Sequence, residues 1–363
     1  MKSSIFVGSD VLTSTTSKMW EAMKNAELGW IKKNNDVSLN KFLARMSQIT
    51  GMESSLLVPT CTAANLTALL AHTEPGDQVI LEEESHILWQ EEWALTAIAG
   101  VLPKSIKGKD GIMNVEKIAQ VADHKVSGQS PNNMVICIEN THNTGGGTVY
   151  SAKKTKEISK IAKNRNMRLH IDGARIFDAA VSEDTEVINL TSEADSVSIS
   201  LNKTLGIPFG SVLCGSQKFI EKAKKESNRI GGFSLHKGGL IAAAGLETLD
   251  VYNFKETCKY IKQTHNLARY FAKSISQLSK VSIKNEKVES NIVLVDISES
   301  GMNSYVFIRE LEKRGVIASL RSEYLVRFVF SRDISNNDIA TISSAIRNIL
   351  DIKNPSNEGY GGL

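Results

Sequence analysis

The chain lacks any apolar run near the roughly 18 residues of a membrane span, and Met1 to Asp10 has no apolar core of a secretion signal. A cytoplasmic protein with no membrane partner is predicted. Cysteine is scarce: Cys61, Cys137, Cys214 and Cys258 are far apart and show no CxxC spacing. That excludes a disulfide framework or a cysteine metal site and predicts reduced thiols. The net charge of +3 is spread along the chain, with no basic tract interleaved with aromatics. Nucleic acid is therefore an unsuitable partner, and a small molecule is expected. Internal repeats are absent, and so is a GxGxxG fingerprint: Gly145-Gly146-Gly147 follows a polar turn with no helix directly after it. A dinucleotide site is disfavoured.

What is present is the composition of an ordinary enzyme, 41% hydrophobic and 23% charged over 363 residues, a length that favours about two domains. Strand and helix patterns alternate from residue 54 to residue 250, which predicts an α/β fold with a mostly parallel sheet covered on both faces. Spacing predicts helices over 39–50, 89–99, 153–166, 217–226 and the alanine-rich stretch 238–249. The last is suited to close packing against another element or subunit. After Asp250 the character changes. A long amphipathic helix over 254–278 leads to strands at 291–297 and 325–330 and helices at 303–314 and 336–350. The predicted division is a large domain over 1–250 and a small one over 251–363, with a frayed tail at 354–363.

The central stretch runs from Leu169 to Gly210. Leu169-His170-Ile171-Asp172 and Ser196-Val197-Ser198-Ile199-Ser200 are apolar or small-residue runs, one ending at Asp172 and the other closely followed by Lys203. An aspartate closing one buried strand and a lysine just past another suit a pyridoxal-phosphate (PLP) site. The carboxylate would keep the pyridine nitrogen cationic, and the amine would hold the aldehyde. Each residue alone has a plainer reading, Asp172 as a turn cap and Lys203 as a solvated strand-end lysine. Thr60-Cys61-Thr62 precedes a helical run, where free N–H groups would hold a phosphate; Thr62 as a simple N-cap is the alternative. His86, at a strand-to-helix junction, is either a ring-stacking group or a loop residue with one hydrogen bond. Glu139-Asn140-Thr141-His142-Asn143 clusters polar side chains at a strand end, where an open α/β sheet meets its ligand.

Taken together, these motifs resemble the threonine aldolase group of the fold-type I, or aspartate-aminotransferase-like, PLP enzymes. The resemblance rests on Ser9-Asp10-Val11-Leu12-Thr13, Pro59-Thr60-Cys61-Thr62-Ala63-Ala64-Asn65 and Ala71-His72-Thr73-Glu74-Pro75-Gly76-Asp77. Glu139 to Asn143, His170 to Arg175 and Leu201-Asn202-Lys203-Thr204-Leu205-Gly206 follow in order, so the likeness covers nearly the whole chain. It implies a large, mostly parallel seven-stranded sheet domain and a small C-terminal α/β domain, with residues 1–20 packing on the latter. It implies PLP as cofactor, no metal, an amino acid substrate, and a homodimer or homotetramer. By the same likeness Lys203 is the Schiff-base lysine, Asp172 the pyridinium partner and His86 the stacking histidine. Thr60, Cys61 and Thr62 would hold the phosphate. Arg175 would lie near the phenolic oxygen and the substrate carboxylate. Ser9 and Arg327 are the remaining carboxylate contacts, and His142 either donates to a ligand or caps its strand.

The implied reaction is cleavage of an L-β-hydroxy-α-amino acid to glycine and an aldehyde, or the reverse condensation. Other PLP chemistry on the same scaffold (β-elimination, racemisation, transamination) and a non-catalytic PLP-binding paralogue are the alternatives. Departures from the pattern fall on the substrate side. Lys33 stands where a tyrosine is usual, and Gln129 where a histidine is often assigned to the substrate hydroxyl. His236 or Lys237 replaces an arginine expected to reach the phosphate of a neighbouring subunit. Glutamine is no general base at neutral pH, so His86, acting with a water, is a candidate for that role.

Overall fold

The computed structural model describes residues 4–30, 33–123, 134–233, 235–250 and 254–351. Gln129 and the tail at 354–363 lie outside them. In chain order the strands of the first part are β1 (Ile5–Phe6), β2 (Ser54–Val58), β3 (Gln78–Glu82), β4 (Leu102–Ile106), β5 (Met134–Glu139), β6 (Arg168–Asp172), β7 (Ser196–Ser200) and β8 (Ser211–Gly215). The second part adds β9 (Ser282–Ile283), β10 (Ile292–Asp296), β11 (Val316–Ile317), β12 (Ser319–Ser322) and β13 (Leu325–Val329).

Seven strands form the large sheet in the order β2-β8-β7-β6-β5-β3-β4. Only β8 runs against its neighbours. The central strands are buried on both faces, as Val135, Ile136, Leu169, Ile171, Val197 and Ile199 show, because helices cover the sheet above and below. Polar side chains inside these strands, such as His170 and Ser198, are buried and hydrogen-bonded to Asn65, while the carboxylates gather at the strand ends. β3, β5 and β6 close on Glu82, Glu139 and Asp172, and Glu139 and Asp172 are direct register partners.

Three helices shape the approach to that edge: α1 (Ser17–Lys24), α2 (Val37–Thr50) and α3 (Cys61–His72). Helix α2 starts two residues before its apolar periodicity because the buried Asp36 accepts Leu39 N–H at 2.9 Å as its N-cap. The alanine-rich helix Gly239–Leu249 packs on α1 and α2 of the same chain. A Cβ at Gly245 would sit 2.3 Å from Cε2 of the fully buried Phe42. Gly245→Ala is therefore expected to destabilise the fold by about 1–3 kcal/mol despite alanine's better helix propensity. A lower urea midpoint at unchanged slope would register it.

The expected helix over 89–99 is broken. A single turn, His86–Trp89, is followed by a π-helical segment, Ala94–Ile98, in which Ala99 N–H reaches Ala94 C=O at 2.9 Å. The periodicity there is real, but Glu91 is drawn inward by polar partners while Trp89 and Trp93 remain exposed. The i→i+5 bond widens this turn by one residue relative to an α-helix.

The second sheet is antiparallel, β12-β13-β10-β9. Phe271 of the helix Phe254–Ile275 packs on Phe328 and Phe330 with ring centroids 4.8 and 5.2 Å apart. The helix Asn336–Leu350 adds Ile339, Ile342 and Ile346 to this core. The N-terminal strand β1 joins β11 in parallel, and Val329 N–H donates to Val7 C=O at 2.7 Å. The turn that follows β1 thus lies between the two sheets. Among the described residues no helix is long and apolar enough to cross a membrane.

Candidate active site

Asp172 is buried at the end of β6, and both its oxygens accept: Oδ1 from Ala174 N–H at 3.1 Å and Oδ2 from Asn65 Nδ2 at 3.0 Å. Cys61 Sγ lies 3.8 Å from Oδ1 and 3.6 Å from Ser198 Oγ. Burial, with the negative charge of Asp172 nearby, pushes the Cys61 thiol up to about 12. It packs as a neutral thiol. Lys203, half-buried in the loop after β7, makes no ion pair or side-chain hydrogen bond among the described residues, although its charge is felt at Asp10 and Cys61. Its loop is clamped from outside. Tyr260 Oη donates to Thr204 C=O, Arg332 Nη2 to Leu205 C=O at 2.8 Å, and Thr204 Oγ1 to Asp178.

His86 hangs over the same edge. Its N–H donates to Glu139 Oε2 at 2.7 Å, and its ring Nδ1 stands 2.8 Å from Glu91 Oε1. Burial works against its protonation, but the Glu91 hydrogen bond and the charges of Asp172, Glu91 and Glu139 outweigh it and hold the imidazole above its usual range. One ring nitrogen of His86 and one carboxylate oxygen each of Glu91 and Asp172 lie within 4.8 Å of one another.

On the other side of Asp172 two arginines meet. Arg175 forms a bidentate pair with Asp10 (Nε–Oδ2 2.7 Å, Nη2–Oδ1 2.8 Å), both fully or almost fully buried. Burial opposes ionisation of Asp10, yet the Arg175 guanidinium holds its carboxyl well below the usual range. Arg327 Nη1 donates to Asn143 Oδ1 at 2.7 Å, Nε to Ser319 Oγ at 3.0 Å and Nη2 to Gly8 C=O at 3.1 Å. Arg175 Nη1 reaches the same Asn143 oxygen at 3.5 Å. Burial and the neighbouring Arg175 push Arg327 down to about 10. Two cations held side by side by one amide oxygen, each with donors to spare, have the chemistry to bind a carboxylate.

Several expected site residues stand elsewhere. Thr62 is not the N-cap of α3; Thr60 is, its Oγ1 accepting Ala63 N–H at 3.0 Å, because the helix begins earlier, at Cys61. That leaves the N–H groups of Cys61 and Thr62 without intrahelical acceptors. His142 turns into the protein: Nδ1 accepts Gly145 N–H at 3.1 Å, Nε2 lies 3.2 Å from Glu82 Oε2, and the ring is wholly buried. It thereby holds the glycine loop against Glu82. Ser9 Oγ accepts Val11 N–H at 3.3 Å, capping the turn Asp10–Leu12, and borders a polar cavity of about 390 Å³ with Ser331 and Asp333. His236 and Lys237 are exposed, and Lys237 holds a left-handed backbone with φ +65°. Lys33, also exposed, sits 5.2 Å over the ring of Trp30.

Asp10, Asn65, Glu91 and Asn143 are site residues that sequence reasoning missed. Asp10, Asn65 and Asn143 lie inside quoted motifs without being singled out; Glu91 was hidden by a helical periodicity that assigned it no face.

The residues present suit PLP. A buried acceptor faces the site for a ring nitrogen, an unpaired amine for an aldehyde, an imidazole for the ring face, and free helix N–H groups for a phosphate. Sheet, helices and strand-end site together define a fold-type I PLP-dependent enzyme, of the aspartate-aminotransferase-like architecture. The chain belongs to the beta-eliminating lyase family, whose model matches residues 7–298, and within it to the threonine aldolase group. It is 34% identical to low-specificity L-threonine aldolase 1 of Arabidopsis thaliana, covering 97% of this chain and 98% of that one. It is 29% identical to the low specificity L-threonine aldolase of Escherichia coli K12, over 94% and 98% of the two chains. Among solved structures, the threonine aldolase of Leishmania major shares the fold with a TM-score of 0.80 at 17% identity, over 95% of this chain and 99% of that one.

Proposed function

We propose that this chain is a PLP-dependent aldolase that cleaves an L-β-hydroxy-α-amino acid of the threonine or allo-threonine kind to glycine and an aldehyde, or runs the reverse condensation. The observation that carries the reading is the placement of Lys203, Asp172, His86 and the Arg175–Arg327 pair around one sheet edge; the names of near-full-length relatives give it direction. Bound PLP supplies the sink for the electron pair released when Cα–Cβ breaks. The chain supplies the rest. Lys203 Nζ and Asp172 hold the cofactor at its two ends, and the N–H groups of Cys61 and Thr62 receive its phosphate. The spare donors of Arg175 and Arg327 grip the substrate carboxylate, turning the Cα–Cβ bond to a fixed orientation. His86 Nε2, directly or through a water, takes the hydroxyl proton as the new carbonyl forms. His236 or Lys237 serves the phosphate of a second copy, making the working unit a homodimer or a larger homo-oligomer.

The test is an absorbance spectrum with PLP, followed by aldehyde measurement with L-threonine, L-allo-threonine and L-phenylserine. Aldehyde from at least one, with glycine in equal amount, is expected. Pyruvate and ammonia from serine, or racemised alanine, without any aldehyde would instead assign the scaffold to β-elimination or racemisation.

A further inference from the structure

We infer that Glu91 is a positioning residue for His86, fixing the imidazole as its Nδ1–H tautomer so that the Nε2 lone pair faces the reacting hydroxyl, and that the Asn65 amide ties this pair to Asp172. The inference rests on the aldolase reading and deepens it.

The tautomer follows from one amide. Asn65 Nδ2 stands 3.2 Å from Glu91 Oε1 and 3.0 Å from Asp172 Oδ2. Two carboxylates can be faced at once only by the NH2 end, so Oδ1 points the other way and must accept. There it meets Ser198 Oγ at 2.6 Å and His170 Nε2 at 3.1 Å. His170, which burial pushes down to about 4, is therefore neutral with its proton on Nε2, and its Nδ1 accepts from Ser196 Oγ at 2.8 Å. Every group in this buried set has a partner under that single orientation. Glu91 Oε1 can then only accept from His86 Nδ1, and the free imidazole carries its lone pair on Nε2.

Glu91 is otherwise a poor structural residue. It is 4% exposed, and its side-chain hydrogen bonds and ion pair go to His86 and Asn65, with no lysine or arginine among them. A carboxylate removed from water without a permanent cation is costly. What it gains is a histidine whose basicity it raises, the arrangement by which a buried acid orients a catalytic imidazole in hydrolytic triads. The charges facing His86 come from three elements: Glu91 beyond its own turn, Glu139 at the end of β5 and Asp172 at the end of β6. Asn65 joins the first to the last, so the group that orients the base and the group that faces the cofactor ring share one rigid support.

Glu91→Gln tests this, because the Asn65 N–H still fixes the side-chain oxygen toward His86 while the charge is lost. In the protein as purified, 15N NMR of the His86 ring is expected to show the Nδ1–H form when neutral, with a titration midpoint that falls by about one pH unit in the variant. The acid limb of the kcat/KM profile for aldehyde release should move down in pH by the same amount. In the same variant kcat should fall about 10- to 100-fold with little change in KM. Glu91→Asp, which keeps the charge, should retain most of the wild-type midpoint. A neutral wild-type His86 protonated on Nε2 would overturn the inference whether or not the variants fold. So would a rate loss in Glu91→Gln that leaves the midpoint unmoved. Failure of the wild-type protein to release aldehyde would sink the aldolase reading and leave the NMR result standing, so the two failures are distinguishable.

Discussion

Replacing Lys203 with alanine is expected to reduce aldehyde release on the order of 10⁴-fold and to remove the absorbance band of PLP held covalently by the protein. The expectation follows from what the loop after β7 does. It is clamped by Tyr260, Arg332 and Asp178, groups that touch Thr204 and Leu205 and leave the lysine amine without an ion pair among the described residues. Because Lys203 is half-buried and anchors nothing through its side chain, the substitution should leave the urea midpoint almost unchanged, within about 0.5 kcal/mol. Folded protein with lost activity and lost spectrum is the expected combination. A variant that keeps a tenth of the wild-type rate would remove Lys203 from the chemistry.

The second large effect concerns stability. Asp10→Asn is expected to cost about 3–5 kcal/mol, because it leaves the guanidinium of Arg175 buried without its counter-charge. Asp10 is 0% exposed, and its Oδ2 also accepts from Asn291 Nδ2 at 3.2 Å, so the lost charge supports contacts from two distant parts of the chain. The pH dependence has a definite sign. Asp10 is held well below the ordinary carboxylate range in the folded state, while in the unfolded chain it titrates near about 3.9. Its contribution is therefore complete above about pH 5 and lost as pH falls through and below the unfolded value. Urea midpoints measured from pH 7 down to acid should fall steeply for the wild-type protein and more gently for Asp10→Asn. Parallel curves would mean that Arg175 does not depend on Asp10.

The same pair explains why the N-terminal segment matters to a site built mainly on the large sheet. β1 is part of the second sheet's surroundings through β11, and Gly8 C=O accepts from Arg327. Asp10 two residues later reaches Arg175 at the end of β6. A short segment thus joins both arginines, and Asn143 joins them again from β5's loop.

The alternation of strand and helix, the mostly parallel sheet, and the two strand ends carrying Asp172 and Lys203 were legible in the sequence. Burial on both faces favours apolar and small residues along a strand, and a carboxylate or ammonium group is most easily accommodated where the strand leaves the core. Local chemistry likewise announced the turn before α3, though the cap proved to be Thr60 and not Thr62. A side-chain oxygen caps whichever turn the backbone begins, and the sheet sets that point.

Other features needed the assembled chain. The helical spacing over 89–99 was broken because Glu91 is bound by His86 and Asn65, a pairing across 26 residues for Asn65 that no local pattern contains. His142 looked like a ligand contact because it follows a strand end. Gly111, with no side chain of its own, instead lies close against its ring, and Gly145 N–H donates to its Nδ1, so that the ring is enclosed. Residue type and order alone determined the class of fold and the strand ends that carry Asp172 and Lys203, since these depend on short-range burial patterns, and the ordered motifs, through the family they resemble, pointed to the cofactor. Tertiary structure alone decided which charges meet: Asp10 with Arg175 across 165 residues, and Arg327 with Asn143 across 184. Buried charges must find partners wherever the fold brings them, and sequence separation places no limit on that choice.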